Sequence, residues 1–506
     1  MLKRHLIANY LGQGWTALMG LAFIPLYIKY LGIESYGLIG LFAVLTTCLG
    51  LLDMGMTPTL SREMARFTGG SHGAESIRDL LRSIEILTFS IALLIAVGVA
   101  LCAPWIATYW LSGEKLPVHI VIQSITIMGI VSALRFVETI YHGSINGLQR
   151  QVLFNIANSS IATLRGLGAV AILVWVSPTI QAFFLWQGLL SFITLGILAS
   201  LTYSSLPPIN RRARFSPNAL RSVWRFAGGM FVISFLALLL TQVDKVLLSK
   251  LLTLGEYGYY ALAAAVAGAL SMLIWPITQS VYPRFCELHV ADDRAMLADT
   301  YHKSAQLVSV LAGSAAIVMI LYGEMFLQLW TQNASLASRT APMLSLLVLG
   351  NLLNGLMWIP FQTQLAHGWT SLSVKVNVVA VAVVVPAILL VTPRYGAIGA
   401  AWVWAGLNFG YVLIAAQFMY GRILRSEKWS WYIQDLLMPL GSGLSVALLL
   451  KLSWPAANTL FSKLLLFALA ALLTSTAAFF AADRLRQQLL KTIHTYWIRW
   501  STTYAP

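Results

Sequence analysis

The chain has 506 residues, of which 58% are hydrophobic and 10% charged, with three cysteines and a formal net charge of +15. A soluble domain carries about 25% charged residues, so this composition excludes an ordinary water-soluble fold and predicts an all-α polytopic membrane protein. The positive charge requires no nucleic-acid partner, because lysines and arginines facing anionic lipid heads account for it.

In chain order, apolar stretches lie near 9–30, 36–60, 80–102, 118–140, 152–176, 179–203, 222–249, 257–282, 304–328, 341–364, 372–392, 397–420, 436–453 and 461–482. Each fits the roughly 20 residues that a hydrocarbon core requires. The start, Met1-Leu2-Lys3-Arg4-His5 before an apolar run, has no small-residue cleavage pattern, so the run is read as a retained first helix. With the N-terminus inside, 23 of the 33 basic residues fall on one side, seven on the other, and Arg135, Arg165 and Lys245 inside spans. Basic loops stay on the cytoplasmic face, which predicts fourteen spans with both termini cytoplasmic. One miscounted span would swap the later loops and erase this bias. Cys48, Cys102 and Cys286 show no metal or redox spacing, and neither cofactor nor metal is expected.

A gapless shift of 221 residues superimposes Arg4 on Arg225, Leu26 on Leu247, Lys29 on Lys250, Tyr36-Gly37 on Tyr257-Gly258, Thr57 on Thr278 and Gly147 on Gly368. It carries helix 1 onto helix 7, six spans later, so the two halves share one orientation and form a parallel repeat. The expected organisation is a six-helix bundle over 1–205, a basic cytoplasmic linker over 206–221, a second bundle over 222–425, an extra helix pair over 426–482 and a basic tail over 483–506. From Asp483 to Trp500 the tail reads as an amphipathic interfacial helix.

A charge at the bilayer centre costs about 2.5–3.5 kcal/mol on insertion scales, so each must find a partner or a wet cavity. Arg135 and Glu138 are three residues apart on helix 4, on one face with His142, and read either as a self-neutralising pair or as functional groups. Helix 5 carries Gln151, Asn155, Asn158 and Arg165 on one stripe, with no acid near Arg165 in its own helix. Helix 1 aligns Asn9, Gln13, Thr16, Gly20 and Tyr27; helix 2 aligns Thr46, Gly50, Asp53 and Thr57. Small residues there suit close helix packing, whereas a mid-membrane Asp53 is either paired with a cation or able to take up an ion. Asp244 and Lys245 on helix 7 sit about 100° apart around the axis, so one of them is expected to brace a neighbour. Helix 10 shows a stripe of Asn351, Asn354, Trp358 and Gln362. The chain has no Walker A loop, zinc spacing, nucleophile elbow or dinucleotide turn, so transport would use an ion gradient, the substrate's own gradient or a separate partner.

The run Pro25-Leu26-Tyr27-Ile28-Lys29-Tyr30-Leu31-Gly32-Ile33-Glu34-Ser35-Tyr36-Gly37, then Leu52-Asp53-Met54-Gly55-Met56 and Ser61-Arg62-Glu63, resembles the opening of the polysaccharide transporters. These are the Wzx-type flippases of lipid-linked oligosaccharides (O-antigen flippases) within the multidrug/oligosaccharidyl-lipid/polysaccharide exporter superfamily. Further matches are the run from Gln242 to Lys250, Glu256-Tyr257-Gly258-Tyr259-Tyr260-Ala261 and the run from Tyr395 to Ala401, so helices 1 to 12 are covered and the last pair is an addition. The resemblance implies a non-enzymatic inner-membrane flippase for undecaprenyl-pyrophosphate-linked oligosaccharide, working by alternating access of two bundles. It implies membrane lipids as surroundings and leaves a polysaccharide polymerase and a chain-length regulator as candidate partners.

In relatives helices 1, 2, 7 and 8 line the cavity, which by position implies Asn9, Gln13, Lys29, Asp53, Arg62, Lys245, Gln279 and Arg284; Arg135 and Arg165 join them from the charge reading above. Lys29 and Arg62 sit at span ends and Arg284 just past one, a departure from that pattern. Asp53, Glu138 and Asp244 are the candidates for ion coupling. Two competitors are a cation-coupled multidrug exporter, which expects twelve spans and an acid-rich cavity, and a polytopic glycan polymerase or glycosyltransferase, which expects a large external loop with catalytic groups.

Overall fold

The computed structural model describes residues 2–68, 73–208, 211, 213–217, 235, 238–239, 241–454, 459–491 and 494, with the backbone alone for 2–11, 151 and 370. Among the described residues every regular element is helical, a lone bridge joins Ser112 to Thr253, and eleven helical runs are long and apolar enough to cross a membrane. The chain is a polytopic, all-helical membrane protein.

The first elements are α1 (Leu2–Ala22) and α2 (Ile24–Leu49), and α2 is itself two helices broken at Gly32, with φ +81°. The second span, expected to run unbroken over 36–60, is interrupted. A 3-10 turn over Gly50–Asp53 leads to left-handed Met54 and Gly55 before α3 (Met56–Thr68) restarts. Asp53 caps that restart: its carboxylate accepts from Thr57 N at 3.1 Å and Thr57 Oγ1 at 2.7 Å, satisfying a first-turn amide. Then come α4 (Ala74–Trp105), which continues through a π-helical turn to Trp110, α5 (Val118–Gly147), α6 (Gln151–Trp175) and α7 (Ile180–Ser204). The expected helix 7 lies mostly outside the described residues, which resume as helix over 241–251. Of the linker, Arg211 binds Glu75 at 2.9 Å and Asp79 at 2.5 Å at the start of α4.

There follow α8 (Leu254–Gly268), α9 (Leu270–Val290), α10 (Arg294–Thr331), α11 (Ala334–Leu356), α12 (Trp358–Ala366), α13 (Thr370–Gly410), α14 (Met438–Ser453) and α15 (Leu460–Ala481). The apolar run 371–422 holds 52 residues. As a straight helix it would measure about 78 Å, more than twice a core of roughly 30 Å. Gly396, at φ +60° and ψ −149°, folds it back in a conformation that is essentially glycine's alone. The amphipathic tail expected to Trp500 is described only to 491 and at 494.

The chain divides into two compact units, Met1–Ala261 and Leu262–Pro506, with the boundary inside α8. The first is cored by Leu38, Leu60, Leu81, Met128 and Phe184, all buried. In the second, Ile317 and Tyr322 of α10 pack with Ala447 of α14 and with Leu466 and Ala470 of α15, so the terminal pair is docked on α10.

Within the first unit one helix crossing has an internal symmetry. A Cβ on Gly37 would lie 2.4 Å from Leu254 O, and a Cβ on Gly258 would lie 2.3 Å from Ile33 O. A Cβ on Gly40 would lie 2.7 Å from the Ala261 side chain. The 221-residue offset, which takes 33 to 254, 37 to 258 and 40 to 261, turns the first contact into the second and relates the two residues of the third to each other. Two backbones touch because glycine holds both contact points, as in small-residue crossings of membrane helices.

Candidate functional site

Inside the first unit α5, α6 and α7 bring together a group of polar side chains. Arg165 of α6 pairs with Glu138 of α5 at 3.3 Å and donates to Ser191 Oγ of α7 at 3.1 Å. Arg135 donates to Gln187 Oε1 of α7 at 3.0 Å, and its guanidinium lies 4.8 Å above the Phe42 ring. The sequence reading of Arg135 and Glu138 as a self-neutralising pair on one helix is corrected here. Glu138 turns toward the next helix, and its cation is Arg165, which therefore has a partner. Arg135 is held by a neutral amide and a ring face, neither of which cancels its charge. Two guanidinium groups thus share one carboxylate, and the Nε of each is buried without a hydrogen-bond partner among the described residues. The cluster carries one net positive charge and two free N–H donors in an apolar bundle.

The other sequence candidates are spread out. Asp244 accepts from Tyr260 OH of α8 at 2.9 Å and pairs with its own neighbour Lys245 at 3.2 Å, so Asp244 is the brace. Lys29 lies 5.7 Å over the Tyr30 ring, Arg62 lies 3.9 Å from buried Glu63, and Arg284 pairs with exposed Glu287 at 3.0 Å. Gln13 and Gln279 are exposed, and the Asn9 side chain lies outside the described residues. Asp53 makes the cap described above and no ion pair with any described cation.

Several buried polar groups were missed by sequence reasoning. Glu85, 1% exposed, accepts from Tyr141 OH at 2.8 Å and Tyr203 OH at 2.9 Å and pairs with Arg82 at 3.1 Å. Glu34 accepts backbone N–H groups of Glu114 at 2.8 Å and Lys115 at 3.0 Å, tying down the loop after α4. His302 of α10 is fully buried between Asp435, 2.5 Å from Nδ1, and Glu427, 3.0 Å from Nε2. Each ring nitrogen thus lies within hydrogen-bond distance of one carboxylate. Gln306 donates to Asp435 at 3.1 Å and to Asp483 at 2.8 Å, so this network pins the segment leading into α14 and the end of α15 to α10. Glu85 lay in plain view as an acid inside a predicted span, whereas His302, two residues before one, gave no such signal. The helix 10 stripe proves a packing seam in part: Trp404 donates to Asn351 at 2.9 Å and Asn354 to Asn408 at 2.8 Å.

Residues 2–289 match the family described as polysaccharide biosynthesis protein. The chain belongs to that family. It is 22% identical over 407 residues to a Shigella flexneri protein named "Putative O-antigen transporter", covering 79% of this chain and 94% of that protein. Among solved structures it resembles the lipid II flippase MurJ in an inward closed conformation, with TM-score 0.70 at 13% identity over 96% of this chain and 99% of that one. It also resembles an inward-facing multidrug resistance MATE transporter of the MOP superfamily, with TM-score 0.63 at 16% identity over 82% and 96% of the two chains. The fold is that of these transporters, and the chain is a membrane transporter of the polysaccharide biosynthesis family rather than an enzyme.

Proposed function

We propose that this transporter is a flippase that moves undecaprenyl-pyrophosphate-linked oligosaccharide repeat units from the cytoplasmic to the periplasmic leaflet of the bacterial inner membrane, for assembly of O-antigen, capsule or exopolysaccharide. The family, the name of the Shigella flexneri relative and the likeness to a lipid flippase support the reading. The observation that carries it is the uncompensated cationic cluster of Arg135 and Arg165 around Glu138. A diphosphate cannot cross hydrocarbon unaided, and a net-cationic pair of guanidinium groups is suited to attract its oxygens. Lys245, Lys29, Arg62 and Arg284 are assigned to its path as secondary cations, with Asn9, Gln13 and Gln279 as polar contacts.

Fourteen crossings in two parallel six-helix repeats plus a terminal pair, both termini cytoplasmic, make up the proposed topology. The reciprocal Gly37 and Gly258 contacts support the repeat. Alternating access of the halves would then carry the head group while the isoprenoid tail stays in the bilayer. Of the three coupling candidates Asp53 is assigned the ion, because Glu138 and Asp244 each have a cation beside them. A polymerase and a chain-length regulator are the expected consumers of the product.

Deletion of the gene tests this reading. Complete lipid-linked repeat units should accumulate on the cytoplasmic side while surface glycan disappears. Incomplete units would indicate an assembly enzyme, and normal glycan with raised drug sensitivity an exporter; either result overturns the proposal.

A further inference from the structure

In the second unit Trp275 of α9, α12, the start of α13 and Tyr411 enclose a cavity of about 380 Å³. That volume suits a small ligand, since such sites run from roughly 300 to 1,000 Å³. The described lining contains no lysine, arginine, histidine, aspartate or glutamate. It contains two indoles, Trp275 and Trp358, meeting edge to face with centroids 5.4 Å apart, and Trp275 remains 46% exposed. Trp358 is fixed by donating to Asn354 Oδ1 at 3.0 Å, and Asn354 is fixed in turn by buried Asn408. By contrast the Gln362 and Asn377 carboxamides and the Tyr411 hydroxyl, all partly exposed, make no hydrogen bond to any described residue.

We infer that this cavity is a subsite for a neutral sugar ring. The inference rests on the flippase reading and specifies which part of the cargo the second unit holds. A pyranose presents a face of C–H groups and a rim of hydroxyls. The C–H face, slightly positive, is attracted by the negative face of an indole. Each hydroxyl both donates and accepts, and so does a carboxamide, so Gln362 and Asn377 match a neutral rim without needing a charge. A phosphate or uronate would lose its hydration here with no cation to replace it, which directs the diphosphate elsewhere. An alkyl chain would leave three polar groups facing hydrocarbon, which disfavours a lipid occupant.

The test uses the full-length protein in nanodiscs, with saturation-transfer NMR on maltotriose, chitobiose and trigalacturonate as probes. At least one neutral saccharide should receive transfer and trigalacturonate none. Gln362→Ala with Asn377→Ala, and separately Trp275→Ala, should each weaken that binding by about tenfold while the protein keeps its elution volume and Tm. Absence of any neutral-saccharide signal, equal binding by the variants, or equal transfer to trigalacturonate overturns the subsite. In cells the double variant should accumulate repeat units as the gene deletion does. Normal export in the variant alongside lost export in the deletion overturns the subsite and spares the flippase reading. Normal export in the deletion overturns that reading.

Discussion

Glu138 decides the electrostatics of the α5–α6–α7 cluster, because it is the carboxylate that Arg165 binds and the nearest acid to Arg135 along α5. Removing one partner of a buried pair leaves the other charge uncompensated, which costs about 3–5 kcal/mol when burial is complete and less here, since Arg165 is 22% exposed. Arg165→Ala and Glu138→Ala should therefore each lower the Tm in detergent, and the double variant should regain much of the loss. Export should remain absent in the double variant, because one of the two cations proposed to hold the diphosphate is gone. A double variant that restores export would assign the pair a purely structural role. Asp53 calls for the opposite design. Asn caps a helix about as well as Asp, so Asp53→Asn keeps the restart of α3 while deleting the charge. The expected outcome is an unchanged Tm and export that no longer responds to the ion gradient; retained ion dependence would leave Asp53 as a cap alone. Sequence reasoning singled out both residues and left open whether Glu138 pairs with Arg135, where the structure pairs it with Arg165. Spacing along one helix reports which side chains share a face, but a cross-helix partner depends on how α5 and α6 are rotated, which the one-dimensional pattern does not contain.

At the scale of elements, glycine and a buried histidine carry most of the joints. The matched dipeptides Tyr36-Gly37 and Tyr257-Gly258 were legible as a sequence match at one offset, and their meeting was not, because an offset says which residues correspond without saying that they touch. Gly37→Val should abolish export, since its Cβ would sit 2.4 Å from a carbonyl oxygen and force the backbones apart. Gly258→Val should do the same through the reciprocal contact, and a variant of either kind with normal export would contradict the crossing. The fold-back at Gly396 was expected as a short connection between spans at 372–392 and 397–420; the helical pattern continues through it because a single residue makes the bend. The docking of α14 and α15 rests on His302, fully buried against a fully buried Asp435. His302→Ala should leave Asp435 with Gln306 as its remaining partner and lower stability by about 1–3 kcal/mol, read as a fall in Tm and faster proteolysis near residues 425–435. An unchanged Tm would show that apolar packing of Tyr322, Ala447 and Leu466 suffices.

For the whole molecule, composition and the long apolar stretches were enough to read a many-helix membrane protein; the transporter reading came from the resemblance of its opening motifs, which agrees with the family that residues 2–289 match. What composition could not convey is the division of chemistry. The first unit gathers two guanidinium groups around one carboxylate, while the second offers a cavity whose described lining has indoles and carboxamides and no lysine, arginine, histidine, aspartate or glutamate. The proposed cargo carries both chemistries, a diphosphate and sugars. The most direct measurement is reconstitution of the purified chain in proteoliposomes loaded with a fluorescent undecaprenyl-pyrophosphate-linked oligosaccharide, following its accessibility to an impermeant quencher. The account predicts that transfer between leaflets needs the protein and falls by at least about tenfold in Arg135→Ala with Arg165→Ala. Transfer no faster than in empty liposomes, or equally fast with both arginines removed, would contradict it.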